Sequence, residues 1–143
     1  MLAGQLCIEE ELVMKVVSIN PPEIVDLGVP NYSHGTLVHD ASRWLHLSGQ
    51  VGVGPDGTVS PAFEDQCRRA FQNIGACLRD ASMGFDDVIM LRIYLTDRSD
   101  LVNLRQVRSE FFGSRQLSST LVFVSGLVDP SWKVELEIVA AAQ

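Results

Sequence analysis

The sequence has little cysteine and no long apolar run. Its three cysteines, Cys7, Cys67 and Cys77, include no CxxC pair, so neither a disulfide framework nor a zinc site built on cysteine is predicted. No apolar stretch approaches the roughly 20 residues of a membrane-spanning helix. The first residues carry three consecutive glutamates where an export signal needs an apolar segment. These absences lead us to expect a cytoplasmic protein.

Positive charge is also scarce. Lys and Arg number 11 against 18 Asp and Glu, which gives a net charge of −7. Nucleic-acid affinity draws on clustered Lys and Arg, so this balance argues against a broad surface for DNA or RNA. With 143 residues and 46% hydrophobic content, the chain suits one folded domain. We place that domain at residues 14–143 and assign residues 1–13 to an N-terminal extension.

The motifs of several common enzyme classes are missing. His34, His39 and His46 have no HExxH spacing and no carboxylate partner at metal-ligand spacing. There is no GxSxG nucleophile elbow, and no GK[ST] sequence follows the glycines of "GVGPDG". The residues therefore predict no metal site and no cofactor.

Hydrophobic periodicity predicts an α+β fold. Apolar residues recur at helical spacing from Phe63 to Ala81, in a helix that should open at Ser60 and Pro61 and end at Gly84. A second helix should run from the "DRSD" stretch to the "EFFG" stretch. Strands are predicted at 14–19, 36–40, 43–53 and 88–96 and in two runs within 116–140, with 36–40 and 43–53 joined as a hairpin. The order β-β-β-α-β-α-β-β suits a mixed sheet with two helices on one face.

Alternation along the strands predicts one apolar sheet face under the helices and one mixed face. The apolar face would carry Leu91, Val122, Val124, Leu136 and Ile138. The mixed face would carry Trp44, His46, Ser48, Arg92, Tyr94, Ser119, Phe123, Glu135 and Glu137. This composition favours an assembly surface over bare solvent surface. Glu135 and Glu137 suit a general base, although ion pairs to Arg92 or Lys133 are the commoner use of such charges.

Five sequence stretches together resemble the Rid/YjgF family of reactive-intermediate deaminases, over about residues 14–142. They are "PNYSHG", "LSGQVGV", "QCRRAFQNIGACLRDASMGFDDVIMLRIYLTD", "EFFG" and the pair "VSGL" and "KVELEIVA". The resemblance implies the fold of a trimeric bacterial chorismate mutase and a homotrimer whose sheets line a central β-barrel. It also implies three small-molecule clefts, each between neighbouring subunits.

The resemblance further implies the residues of the cleft. In deaminase members the cleft binds an imine or enamine derived from an amino acid, and water hydrolyses it to a 2-keto acid and ammonia. The positions that match the family's ligand-binding residues are Tyr32, Ser48 and Gly49. The position that matches its water-positioning glutamate is Glu135. The family's carboxylate-clamping arginine has no counterpart, because its segment here reads Leu117, Ser118, Ser119, Thr120.

The missing arginine determines the functional hypotheses. Ser119, or Thr120 if the loop insertion falls elsewhere, occupies its place, and short hydroxyls do not neutralise a carboxylate as a guanidinium does. We therefore expect a divergent trimeric member that binds or hydrolyses an unidentified metabolite. One alternative is a 2-imino acid deaminase with a relocated clamp, for which Arg105 is a candidate. The ribonuclease and chaperone-like activities of the family form a second alternative, which the acidic charge disfavours.

Overall fold

The computed structural model describes residues 12–143, so Cys7 and most of the predicted extension lie outside the described residues. The strands are β1 Lys15–Ile19, β2 Tyr32–Ser33, β3 Gly35–His39, β4 Arg43–His46, β5 Gln50–Val51, β6 Val88–Leu95, β7 Leu117–Phe123 and β8 Val134–Ala142. The helices are α1 Phe63–Asp80 and α2 Leu101–Phe112. The two helices and the last three strands are confirmed, whereas the first three predicted strands appear as five.

Six of the strands form one mixed sheet. Its order is β2-β7-β6-β8-β4, and β5 also pairs with β8. β2 and β6 run parallel to β7, whereas β8 runs antiparallel to β6, β4 and β5. Two helices beside a mixed sheet give the α+β class that the sequence predicts.

The predicted hairpin between residues 36–40 and 43–53 is wrong. β3 pairs with β1 in a separate antiparallel pair, and β4 pairs with β8. Asp40 turns the chain with a φ of 58°. The N–H of Ser42 then donates to the carbonyl of Ala142 at 3.0 Å, so the chain joins β8 rather than returning along β3.

Helix α1 carries the predicted apolar stripe into the core. Phe71, Ile74 and Leu78 on this stripe are fully buried. Cys67 is fully buried among them, and burial raises the pKa of its thiol to about 12, so it behaves as the small core residue that its position predicts. Neither α1 nor any other helix in residues 12–143 combines the length and apolarity that a membrane crossing requires.

Both ends of α1 differ from the prediction. The N-cap residue is Ala62, while the Ser60 hydroxyl accepts from the Ala62 N–H at 3.2 Å and donates to Asp65 at 2.9 Å. At the other end Ser82, not Gly84, adopts the left-handed conformation, with a φ of 54°. The helix is therefore shorter than predicted by a few residues at each end, where sequence signals are least specific.

The helices cover one face of the sheet, and the other face is open in the single chain. Leu91, Leu95 and Leu136 point to the helix-covered face and are fully buried. The open face carries Trp44, His46, Met90, Arg92, Tyr94, Thr120, Val122, Glu135 and Glu137. The split into an apolar and a mixed face is as predicted for β6 and β8.

Strand β7 lies one residue out of phase with the prediction. In its parallel pairing with β6, Ser119 lies beside Leu91 and Thr120 lies beside Arg92. Ser119 and Phe123 therefore point to the helix-covered face, whereas Val122 points to the open face and is 40% exposed. The predicted placements of Ser119, Phe123 and Val122 are wrong, because the run from Leu121 to Val124 is apolar at every position and does not fix the phase.

Candidate functional site

The carboxylate of Glu135 lies against Gly49. Residues 47–49 interrupt the strand between β4 and β5, and the pairing with β8 slips by one residue across them. A methyl group added at Gly49 would lie 1.9 Å from Oε1 of Glu135. The glycine therefore leaves the space that the carboxylate occupies. Exposed Ser48 adjoins it, so three of the residues implied by the resemblance meet at this edge of the sheet.

Glu135 and Glu137 have different surroundings on the open face. Glu137 accepts a hydrogen bond from the Tyr94 hydroxyl at 2.7 Å and lies 3.6 Å from the Arg92 guanidinium. The bond to Glu137 raises the pKa of Tyr94. Within residues 12–143 the Glu135 side chain has no hydrogen-bond or ion-pair partner. The ion pair expected for these glutamates thus forms at Glu137 with Arg92, and Glu135 remains available as a base.

The hydroxyl residues of β7 divide between the two faces. Ser118 donates to the sulfur of Met90 at 3.1 Å. Ser119 is half-buried on the helix-covered side, and Thr120 is exposed on the open side next to Arg92. Only Thr120 therefore combines exposure with a neighbouring cation.

Tyr32 lies at the opposite edge of the sheet from Glu135. Its strand β2 pairs with the start of β7, where Tyr32 is opposite Leu117. The Tyr32 ring stands edge to face with His34, with ring centroids 5.4 Å apart. Both rings line a cavity of about 560 Å³. Sequence reasoning considered His34 only as a metal ligand and missed its position in this cavity.

Arg105 is exposed on α2 and has no hydrogen bond or ion pair within the described chain. Its neighbour Arg108 is buried and donates to the carbonyls of Asn31 and Arg115, at 3.1 and 3.4 Å. Arg115 in turn donates to the carbonyl of Phe85 at 2.7 Å. Arg108 and Arg115 therefore stabilise loops through these bonds to backbone carbonyls.

Gln66 is a further residue that the sequence did not single out. Its side chain is buried, with 1% of its surface exposed. Its amide nitrogen donates to the carbonyls of Ser60 and Ser131, at 2.8 and 2.9 Å, and its oxygen accepts from the N–H of Lys133 at 2.9 Å. This side chain fixes the chain just before β8 and so helps to position Glu135.

The implied site residues thus form two groups. Ser48, Gly49 and Glu135 lie beside β8, whereas Tyr32 and Ser119 lie toward the β2-β7 edge, with β6 between the two groups. In residues 12–143 no group of three His, Cys, Asp or Glu side chains is arranged to hold a metal ion. The chemistry on hand is a carboxylate base on one side and hydroxyl and aromatic groups on the other.

Comparisons of the sequence identify relatives across most of the chain. The family described as Endoribonuclease L-PSP matches residues 27–142. A RutC family protein of Saccharolobus solfataricus is 36% identical over 98 residues, which are 67% of this chain and 75% of the relative. The 2-iminobutanoate/2-iminopropanoate deaminase of Homo sapiens is 28% identical over 111 residues, which are 76% of this chain and 78% of that enzyme.

Comparison of structures gives the same fold. The crystal structure of a Rid family protein of unknown function from Yersinia pestis matches with a TM-score of 0.76 at 24% identity, covering 88% of this chain and 98% of that one. An identity this low shows the fold alone, a mixed sheet with two helices. The match to the family's sequence profile shows the relationship itself. The chain belongs to the endoribonuclease L-PSP family, which is the Rid/YjgF family that its sequence stretches resemble.

Proposed function

We propose that this protein forms a homotrimer with a hydrolytic small-molecule cleft between neighbouring subunits, and that its substrate is not a typical 2-imino acid. The observation that carries the proposal is the Glu135 carboxylate, which lies against Gly49 without a partner among the described residues. The start of β7, Leu117–Thr120, meanwhile offers hydroxyls and no cation. The chain thus supplies a carboxylate on β8, whereas the start of β7 supplies no anion clamp.

The separation of the two residue groups supports a cleft between subunits. Tyr32 and Ser119 lie toward one edge of the sheet, and Glu135 lies on the other side of β6. A neighbouring copy that brought its β2-β7 edge to this β8 would complete one cleft. The mixed open face supports the same assembly, because exposed aromatic and aliphatic residues such as Trp44 and Val122 favour an interface.

In the proposed reaction Glu135 acts as the general base. It takes a proton from a water molecule as the water oxygen bonds to the carbon of a protonated C=N group and the π electrons move to nitrogen, which gives a neutral carbinolamine. Protonated Glu135 then returns that proton to the nitrogen. As the C=O bond forms, the carbinolamine hydroxyl gives its proton to Glu135, and the C–N bond breaks with its electron pair leaving on the amine or ammonia. Tyr32 and Ser48 would bind and orient the substrate, together with Thr120, the hydroxyl of β7 that is exposed on the open face.

The missing clamp predicts weak activity on 2-iminobutanoate. A charge-assisted contact contributes about 1.5–3 kcal/mol, which corresponds to roughly a 10- to 150-fold effect on binding. We expect this protein to accelerate 2-iminobutanoate hydrolysis far less than the human relative named above, measured side by side with coupled generation of the imine. Ser119→Arg or Thr120→Arg should restore part of the rate. Equal rates for the two unaltered proteins would contradict the proposal.

A matched pair of variants tests the base. Glu135→Gln should abolish whatever imine hydrolysis the protein shows. Glu137→Gln changes the same residue type two positions away, where the carboxylate already has Tyr94 and Arg92 as partners. It should leave most of the rate intact. If both variants lose activity equally, Glu135 has no special role.

A deaminase with a relocated clamp is the second candidate, and the structure favours Arg92 over Arg105 for that role. Arg92 lies beside Thr120 across the β6-β7 pair, and its side chain is 46% exposed. If the protein does hydrolyse 2-iminobutanoate efficiently, Arg92→Met should lower the rate and Arg105→Met should not. The opposite result would place the clamp on α2.

The assembly has its own test. Light scattering should give three times the mass of the 15.7 kDa chain. Val122→Asp adds a charge to the open face and should shift the protein toward monomer, whereas Val102→Asp, on an exposed position of α2, should not. A monomer at micromolar concentration would remove the proposed cleft.

RNA cleavage is the activity that the family's name suggests, and the charge argues against it here. With a net charge of −7, any affinity for RNA should be weak and should fall steeply with added salt. Submicromolar binding of RNA that persists at about 200 mM salt would contradict this expectation.

A further inference from the structure

The cavity beside Tyr32 has the size of a small-molecule pocket, and apolar side chains form part of its lining. Its volume of about 560 Å³ falls within the roughly 300–1,000 Å³ that such pockets occupy. Ile24, Val25 and Val29 form one part of the lining. These side chains are 49%, 70% and 45% exposed, so a ligand in the cavity would remove apolar surface from water.

The polar part of the lining consists of two aromatic residues, the amides of Asn20 and Gln116, and one carboxylate. Tyr32 and His34 stand edge to face at 5.4 Å, and the backbone N–H of His34 donates to Asn20 at 3.1 Å, which holds this corner in place. Asp26 also lines the cavity. One of its oxygens accepts from the N–H of Gly28 at 2.8 Å, and the other is left for a ligand.

No lysine or arginine lines this cavity in the described chain. The nearby guanidinium groups of Arg108 and Arg115 donate to backbone carbonyls. A ligand carboxylate in the cavity would therefore meet the Asp26 carboxylate without a compensating cation. A ligand cation would meet that carboxylate and the Tyr32 ring, both of which attract positive charge.

We infer that this cavity binds a hydrophobic amine, or the protonated imine derived from one, that carries no carboxylate group. The apolar body would lie against Ile24, Val25 and Val29, and the cationic nitrogen would lie near Asp26 and the two rings. This inference rests on the proposed function for the place of Tyr32 in the cleft. It deepens that function by naming the substrate class: imines of simple amines rather than of amino acids.

Three probes with the same phenethyl body test the charge preference. They are phenethylamine, which is a cation, phenylalanine, which adds a carboxylate, and 3-phenylpropionate, which is an anion. Titrations followed by NMR should show phenethylamine shifting the ring signals of Tyr32 and His34 and binding at least about tenfold more tightly than the other two. Equal or tighter binding of 3-phenylpropionate would overturn the inference, as would phenethylamine shifts confined to residues outside the cavity.

Two variants locate the effect. Asp26→Asn keeps an oxygen to accept from Gly28 and removes the charge, so it should weaken phenethylamine binding severalfold. Glu23→Gln removes a neighbouring exposed carboxylate that does not line the cavity and should leave binding unchanged. Equal effects of the two would show that overall charge, not this cavity, sets the preference.

A third variant reverses the preference. Val25→Lys places a cation in the lining at a position that is 70% exposed, where the fold tolerates the change. It should weaken phenethylamine and strengthen 3-phenylpropionate, and an unchanged order of affinities would overturn the inference. All of these titrations measure binding and not hydrolysis. Amine selectivity without any imine hydrolysis would end the proposed function and leave this inference standing. Hydrolysis of imines other than 2-iminobutanoate that depends on Glu135 but occurs without amine binding would end this inference and leave the proposed function standing.

Discussion

The two faces of the six-stranded sheet differ in what surrounds their side chains. On the helix-covered face, Leu91 and Leu136 are completely buried. On the open face, one register position away, Arg92 and Glu137 are 46% and 27% exposed and pair with each other at 3.6 Å. The side chains of the covered face are buried by contacts within the single chain. The open face carries aromatic, aliphatic and charged groups together, a composition that makes physical sense when a second copy or a ligand lies against it.

The largest expected effect comes from the core. Leu91→Ala removes a fully buried side chain and should lower the free energy of unfolding by about 2–5 kcal/mol. Val122→Ala, on the open face at 40% exposure, should cost less than about 1 kcal/mol in dilute solution. Urea unfolding at two protein concentrations measures both. If Val122→Ala lowered the free energy of unfolding as much as Leu91→Ala at both protein concentrations, the two faces would not differ in this way.

Alanine substitutions at two glycines, Gly52 and Gly49, should have smaller effects that differ between stability and activity. A methyl group at Gly52 would lie 2.5 Å from the backbone Cα and O of Gln66, so Gly52→Ala requires helix α1 to shift and should cost about 1–3 kcal/mol. A methyl group at Gly49 meets the end of the Glu135 side chain, which can rotate away. Gly49→Ala should therefore unfold much like the parent while losing the activity assigned to Glu135.

Unfolding curves and imine hydrolysis rates, measured on both variants, check this expectation. If Gly49→Ala proved the less stable of the two, the carboxylate would be more firmly held than its surroundings indicate. Full activity in Gly49→Ala would show that the position of the Glu135 carboxylate does not matter.

The smallest expected effect concerns three surface turns. Asp56, Asp97 and Asp129 each accept from the N–H and hydroxyl of the residue two positions on. These bonds lower the pKa of all three carboxyls. A lowered folded-state pKa stabilises the fold above the unfolded value of about 3.9, and the contribution is lost as the pH falls through the folded value.

Thermal unfolding measured from about pH 7 down to about pH 3 tests the effect, because carboxyl groups change protonation state within this range. The variant with Asn at all three positions keeps an acceptor oxygen and should lose less stability over this range than the parent. Identical losses would show that these turns do not contribute to the acid sensitivity.

The covered face could be predicted from the sequence, and the reason is periodicity. The stripe of α1 and the alternation of β6 each have a single phase that places apolar residues together. Strand β7 has no such phase, because Leu121, Val122 and Phe123 are all apolar, and the prediction slipped by one residue. Pairing partners were also missed, since the choice of β1 for β3 depends on contacts far apart in the sequence.

The candidate site was predictable only in part. Gly49 and Glu135 were indicated by resemblance to the family, and their contact across β5 and β8 needs the structure. The cavity around Tyr32 and His34 was not predicted, because its lining comes from a loop whose residues share no periodic pattern. Short polar and apolar loop residues carry no signal of which groups they will face.

The buried amide of Gln66 has a consequence for motion. It bonds to Ser60 on one loop and to Ser131 and Lys133 on another. Neither loop opens fully without exposing an amide that has no other partner, so the two segments should open together as one cooperative unit. In hydrogen exchange, the N–H of Lys133 should therefore report on a segment more than sixty residues away in sequence. The loop before α1 and the loop before β8 then share one opening rate, and access to the Glu135 edge of the sheet follows that rate.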